Sequence, residues 1–196
     1  MSNDEFILRV KSFALKNSDQ DDIHGFPHVE RVFNTCVQLG NQLKANMLIL
    51  KVSALLHDVG RIKEHIDSKG RNHANISAEI AKEYLSSNQD YLSKDEIDHI
   101  IHCIRAHSFS NNIKPKTLEA KILSDADKLD AMGAIGLYRT IGFTIKNQNG
   151  IDTVIQHMEE KILNLKENLY LKSSKILAEQ RQQILKDFYE KIKKEK

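Results

Sequence analysis

The sequence predicts an all-α protein, a bundle of about eight helices, and three observations predict it. Apolar residues recur at three- and four-residue spacing along most of the chain, with no alternating strand pattern. Helix-start residues stand in front of several of these runs. The chain is 40% hydrophobic and 29% charged, with two prolines and no tryptophan, which favours a helical globule over a disordered chain. Its 196 residues suffice for one domain spanning 1–196 that buries a core without disulfides or structural metal.

In the first helix Phe6, Ile7, Val10, Phe13 and Ala14 share one face, and Ser2 with Glu5 is placed as a capping box. The second begins at "GFPHVERVFNTCVQLGNQL", where Pro27 suits a first turn and Val29, Val32, Phe33, Cys36, Val37 and Leu43 form the apolar stripe. His28 therefore lies in that first turn. A third helix covers about 46–58 and stops near Gly60, so His57 and Asp58 occupy a helix end. "GRIKEHIDSKGRNH" reads as a polar loop, followed by a helix from about 74 to 87 with Ile76, Ile80, Ala81 and Leu85 inward. Ser93 and Glu96 form a second capping box for "SKDEIDHIIHCIRAH", and "SFSNNIKPK" breaks the pattern at Pro115. Thr117 starts "TLEAKILSDADKLDAMGAIGLYRTIGF", in which Gly133 and Gly136 allow a close helix contact. Two long amphipathic helices, about 151–171 and 173–193, are expected to pack on the domain core.

Basic and acidic residues nearly balance, with a formal net charge of +2, so no global field points to nucleic acid as a partner. Cys36 and Cys103 fall at apolar helical positions and read as buried free thiols of a reducing compartment. The N-terminus "MSNDEFILRVK" has charges within its apolar stretch, and no run approaches a membrane span. A cytoplasmic protein with no membrane partner is expected, as a monomer or a homo-oligomer.

His28, the pair His57-Asp58 and Asp127 each lie on or beside a helix with an apolar face, so a packed bundle can aim them at one place. Two imidazole nitrogens and two carboxylate oxygens suit a divalent ion such as Mn, Fe, Co, Ni or Zn, whereas Mg and Ca favour oxygen-only sites. Adjacent residues diverge by about 100° on a regular helix, but at its last turn both can still reach one ion. Taken singly, each of these residues also fits a surface or capping role.

In their order and apolar context, "HGFPHVERV", "LLHDVGR" and "DADKLDAMGAIG" resemble the HD superfamily of metal-dependent phosphohydrolases. The resemblance covers about residues 20–145. The phrases "IRAHSFS" and "DADKLDAMGAIG" make it most similar to the small stand-alone branch that includes bacterial nucleoside triphosphate pyrophosphohydrolases. It implies an all-α HD fold with the metal at its centre, held by His28, His57, Asp58 and Asp127. One divalent ion is implied, with Mg as a further activator.

The activity the resemblance implies is hydrolysis of a small nucleotide, with a (deoxy)nucleoside triphosphate cleaved to monophosphate and pyrophosphate as the leading reaction. Other HD chemistry, on phosphomonoesters or phosphodiesters, and a nucleotide-sensing module without turnover remain the competing readings. Arg61 and Lys128 are the cations best placed for phosphate oxygens. His107, at a helix end beside Ser108, is placed to donate to a leaving oxygen, and Glu64 to orient water. Asp130, one turn from Asp127, and His24 are candidates for holding substrate. Lys63, Lys69, Arg71 and Lys116 are available in the neighbouring loops. His24, His73 and His102 also raise a two-metal alternative, because two-metal HD proteins recruit extra histidines between the HD pair and the last Asp.

Overall fold

The computed structural model describes residues 2–64, 70–87 and 91–196. Among them are nine α-helices of ten residues or more, one four-residue helix and short 3-10 turns, with no strand. The all-α expectation holds. The chain forms two compact units, Met1–Ser124 and Asp125–Lys196.

The first unit contains α1 (Asn3–Lys16), α2 (Phe26–Leu43), α3 (Met47–Leu56), α4 (Arg61–Glu64), α5 (His73–Ser86) and α6 (Lys94–His107), and α7 (Leu118–Asp130) begins in it. Its centre is α3, which packs against α1, α2, α5 and α6. The sequence of α3 explains this position: Ile49, Leu50, Val52, Ala54, Leu55 and Leu56 are all buried, and only Met47, Leu48 and Lys51 are left half-buried, so most of the helix surface faces the core. Asn46 caps its start by accepting from the amides of Leu48 and Ile49. The Ser2–Glu5 and Ser93–Glu96 capping boxes both form, which fixes where α1 and α6 begin.

"GRIKEHIDSKGRNH" is less of a loop than its polarity suggests. Arg61–Glu64 makes one helical turn, and α5 starts at His73 because the Asn72 side chain accepts from the Ala74 amide. Residues 65–69 lie outside the described residues, and Lys69 with them.

The second unit holds the end of α7, then α8 (Gly133–Lys146), α9 (Ile151–Glu160), the 3-10 turns Ile162–Asn164 and Lys166–Asn168, and α10 (Lys172–Glu195). Two expectations are corrected here. Gly133 is not in mid-helix but is the first residue of α8, at φ +70, where the chain breaks after α7; the close helix contact is present, since a Cβ there would lie 3.1 Å from Cγ of Arg181 in the last helix. The expected helix 151–171 stops at Glu160 and continues as 3-10 turns. Ile162, Leu165 and Leu169 are buried all the same, spaced three and four residues apart at and just after the 3-10 turns, which imitates the helical spacing. The amides of Tyr170 and Leu171 then donate to the Asp125 carboxylate at 2.8 and 2.9 Å, which holds the chain extended before α10. Cys36 and Cys103 are buried free thiols, as expected. Among the described residues no helix is long and apolar enough to cross a membrane.

Candidate metal centre

The site is built where the central helix ends. α3 stops at Leu56, and His57 keeps a helical backbone at φ −61, ψ −33, so its ring turns back and Nδ1 lies 2.7 Å from the Ala54 carbonyl. A carbonyl only accepts, so Nδ1 carries the proton and Nε2 keeps its lone pair. His107, the last residue of α6, repeats the device with Nδ1 2.6 Å from the Ile104 carbonyl. His28 arrives from the first turn of α2 and His73 from the first residue of α5. His28, His57, Asp58, His73 and His107 are all buried.

The five side chains make two groups that share Asp58. His28 Nε2 and His57 Nε2 are 3.3 Å apart and lie 3.6 and 3.7 Å from Asp58 Oδ2. His73 Nε2 and His107 Nε2 are also 3.3 Å apart and lie 3.4 and 3.5 Å from Asp58 Oδ1. In each group the ligand-capable atoms fall within 4.8 Å of one another. Asp58 thus offers one oxygen to each pair of imidazoles.

The residues fit a divalent cation. Asp58 Oδ1 is buried and accepts no hydrogen bond of normal geometry, an arrangement that costs free energy unless a cation balances it. His73 Nδ1 is 3.3 Å from a Glu64 carboxylate oxygen and therefore donates, which leaves its Nε2 lone pair facing that of His107. Two lone pairs 3.3 Å apart need a proton or a cation between them. Burial holds the His73 imidazolium down to about 4, with Arg61 and His107 adding to that and Asp58 and Glu64 opposing it. Burial also opposes charge on Asp58, but Arg61, His57 and His73 outweigh it and keep the carboxyl well below the usual carboxylate range. Imidazole nitrogens around a carboxylate suit Mn, Fe, Co, Ni or Zn.

The turn that carries Asp58 is pinned from behind. The Gly60 amide donates to Ser77 Oγ at 2.9 Å, and a Cβ on Gly60 would lie 2.5 Å from the Ser77 nitrogen and 2.9 Å from the His73 carbonyl oxygen. Only glycine lets α5 come this close and deliver His73.

Arg61 Nε donates to Asp58 Oδ2 at 3.0 Å, so its guanidinium serves the ligand carboxylate. His24 is half-buried in the turn before α2, its amide donating to Asp21, and stands outside both groups. His102 Nε2 accepts from the Lys116 amide, so of His24, His73 and His102 only His73 joins the cluster. Asp127 is half-buried on α7, in the second unit. Beside it Lys128 is buried with Nζ 5.0 Å from the centre of the Tyr170 ring, and burial pulls its ammonium pKa down against Asp125 and Asp127. Asp130 is buried and accepts from Arg139 at 2.7 Å. Arg71 pairs with Glu79, and Lys63 and Lys116 are exposed. Sequence reasoning missed the roles of Gly60, Ser77 and Asp125.

The HD-domain family model matches residues 25–132, a stretch that contains both groups of ligand-capable residues. The chain is 28% identical to YpgQ of Bacillus subtilis over 186 residues, covering 91% of this chain and 87% of that protein. The crystal structure of YpgQ matches with a TM-score of 0.80 at 24% identity, over 100% of this chain and 97% of that one, a likeness of fold. An HD-superfamily hydrolase of Bacillus thuringiensis matches at 27% identity with a TM-score of 0.74, over 99% of this chain and 98% of its own. Ribonuclease Y of Thermoanaerobacter pseudethanolicus is 37% identical over 90 residues, which are 46% of this chain but 15% of that enzyme. With its His-Asp pair at the end of a buried central helix and more than half its length matched, the chain belongs to the HD-domain family.

Proposed function

We propose that the protein is a metal-dependent phosphohydrolase acting on small nucleotides, and that its leading reaction cleaves a (deoxy)nucleoside triphosphate to monophosphate and pyrophosphate. The observation that carries this reading is the buried, ionised Asp58 with four imidazole Nε2 atoms within 3.7 Å of its two oxygens. His28, His57 and Asp58 hold one divalent ion, and the HD resemblance adds Asp127 as a further ligand. When bound, such an ion polarises a phosphoryl oxygen and lowers the pKa of a water molecule. The chain's own residues do the rest. His57 and His107 are locked in the ligand-competent tautomer by backbone carbonyls, so no reorganisation is needed on binding. Arg61 balances Asp58 and keeps it ionised. Lys128 is the cation we assign to substrate phosphate, and Asp130 is assigned to the substrate side with its Arg139 partner.

The reaction balances simply. A water oxygen bonds to Pα and gives its proton to solvent, the Pα–O–Pβ bridge breaks, and pyrophosphate leaves with the bridging electron pair. A nucleotide as ligand class is supported by the YpgQ crystal structure in complex with ADP, a relative of 24% identity and TM-score 0.77. A second reading of the cofactor, two ions sharing Asp58, is favoured by the facing lone pairs of His73 and His107.

Product analysis across nucleotides with added Mn tests the reaction. Equal yields of monophosphate and pyrophosphate, abolished by Asp58→Ala, support the proposal. Phosphate release from monophosphates or opening of phosphodiesters assigns the site to other HD chemistry, and tight binding without turnover assigns it to sensing.

A further inference from the structure

Glu64 ends the single turn α4 and faces the start of α5. Its Oε1 accepts from the backbone amide of His73 at 2.9 Å and lies 3.3 Å from His73 Nδ1. Its Oε2 lies 3.5 Å from Arg61 Nη1, and Arg61 Nε reaches Asp58 Oδ2 at 3.0 Å. His73 Nε2 returns to the same carboxylate at Asp58 Oδ1, 3.4 Å away. The chain of contacts therefore closes on itself, from Asp58 through Arg61 and Glu64 to His73 and back.

His73 differs from His57 and His107 in one respect. Those two rings donate Nδ1–H to a carbonyl of their own helix three residues earlier, a partner that any helical sequence supplies. His73 is the first residue of α5, so no preceding turn of its own helix offers a carbonyl, and its Nδ1 meets a side chain instead. That side chain is Glu64. A carboxylate accepts and cannot donate, so it selects the Nδ1–H tautomer and turns the Nε2 lone pair toward Asp58 and His107.

We propose that Glu64 is a positioning residue: by fixing the tautomer and orientation of His73 it completes the Asp58–His73–His107 group as a second cation position. This rests on the two-ion reading given above. The proposal gives Glu64 a task different from orienting the attacking water. It also explains why the four-residue α4 begins three residues after Asp58, since the i, i+3 spacing of Arg61 and Glu64 aims one side chain at each neighbouring group.

The test uses the full chain and three forms: wild type, Glu64→Ala and Glu64→Gln. The alanine removes the acceptor, whereas the glutamine keeps a carbonyl oxygen for His73 and loses only the charge opposite Arg61. Long-range proton–nitrogen NMR of the metal-free protein, with His73 assigned through His73→Gln, reads which ring nitrogen carries the proton. Mn(II) titration followed by electron paramagnetic resonance reads how many ions bind and whether they are spin-coupled. The expected wild-type result is a protonated Nδ1 on His73 and two coupled ions. In Glu64→Ala the tautomer becomes mixed and one ion weakens by about tenfold or more while the other is unchanged, and Glu64→Gln recovers most of both signals. Helical circular dichroism equal to wild type in each variant separates this from unfolding. Wild-type tautomer and wild-type affinities in Glu64→Ala overturn the role of Glu64 and leave the two-ion reading standing. A single ion in the wild type at saturating Mn overturns both together.

Discussion

Histidine rings at this centre are prepared before any ion arrives. Nδ1 of His57 and of His107 is committed to a backbone carbonyl, and Asp58 Oδ1 is buried with no donor, so the cost of desolvation is already present in the folded chain. Replacing Asp58 by Ala removes the atom common to both groups, and metal content measured after reconstitution is expected to fall at least tenfold. Cys103 gives an independent check on burial away from the centre. Desolvation pushes its thiol up to about 12, so it should resist alkylation at pH 8 in the folded protein and react fully in denaturant. The sign of its pH effect follows. Between about 9 and 12 the unfolded chain loses a proton that the folded chain keeps, so stability falls as pH rises through that range. A urea midpoint rising across the same range would contradict the burial. His28, His57 and Asp58 are legible in the sequence because their order and apolar surroundings are distinctive. His73 was harder to single out among three spare histidines, because what selects it is a carboxylate nine residues earlier and a helix start, and neither leaves a periodic trace.

Packing of α3 explains why a His-Asp pair at its end is buried at all. Truncating the buried Leu55 to Ala should cost about 3 kcal/mol of unfolding free energy by chemical denaturation, the range for a filled core that only partly collapses. Gly60→Ala is expected to do more specific damage. Its Cβ meets backbone of α5, so the helix start must move and His73 with it; metal affinity should drop together with about 1–3 kcal/mol of stability. A Gly60→Ala protein with wild-type affinity would contradict the close approach. Most helix boundaries were readable from caps and apolar spacing, as the two capping boxes show. What escaped was local: the α7–α8 break turns on a single positive-φ glycine, and the 3-10 turns after α9 keep an apolar spacing close to that of a helix.

On the scale of the whole molecule, the chain forms two compact units. Their boundary falls inside α7, where helical periodicity runs on without a Gly- or Ser-rich linker to mark it. Membership of the HD-domain family rests on residues 25–132, and those residues carry the centre. A metal that binds only the folded chain also stabilises it. At a concentration a hundred times the dissociation constant the gain is about 2.7 kcal/mol, a shift in melting temperature of roughly 5–10 °C for a chain of this size. Chelator should lower the melting temperature by that much in the wild type and leave Asp58→Ala unaffected.

The central claim is that the buried Asp58 cluster is a metal centre, and elemental mass spectrometry tests it most directly. Wild type and Asp58→Ala are purified, reconstituted with Mn and freed of loose ions, and the metal bound per chain is counted. The wild type is expected to hold at least one equivalent of transition metal and the variant almost none, with matching helical circular dichroism. A wild type that retains no metal, and whose melting temperature is the same with Mn and with chelator, would contradict it.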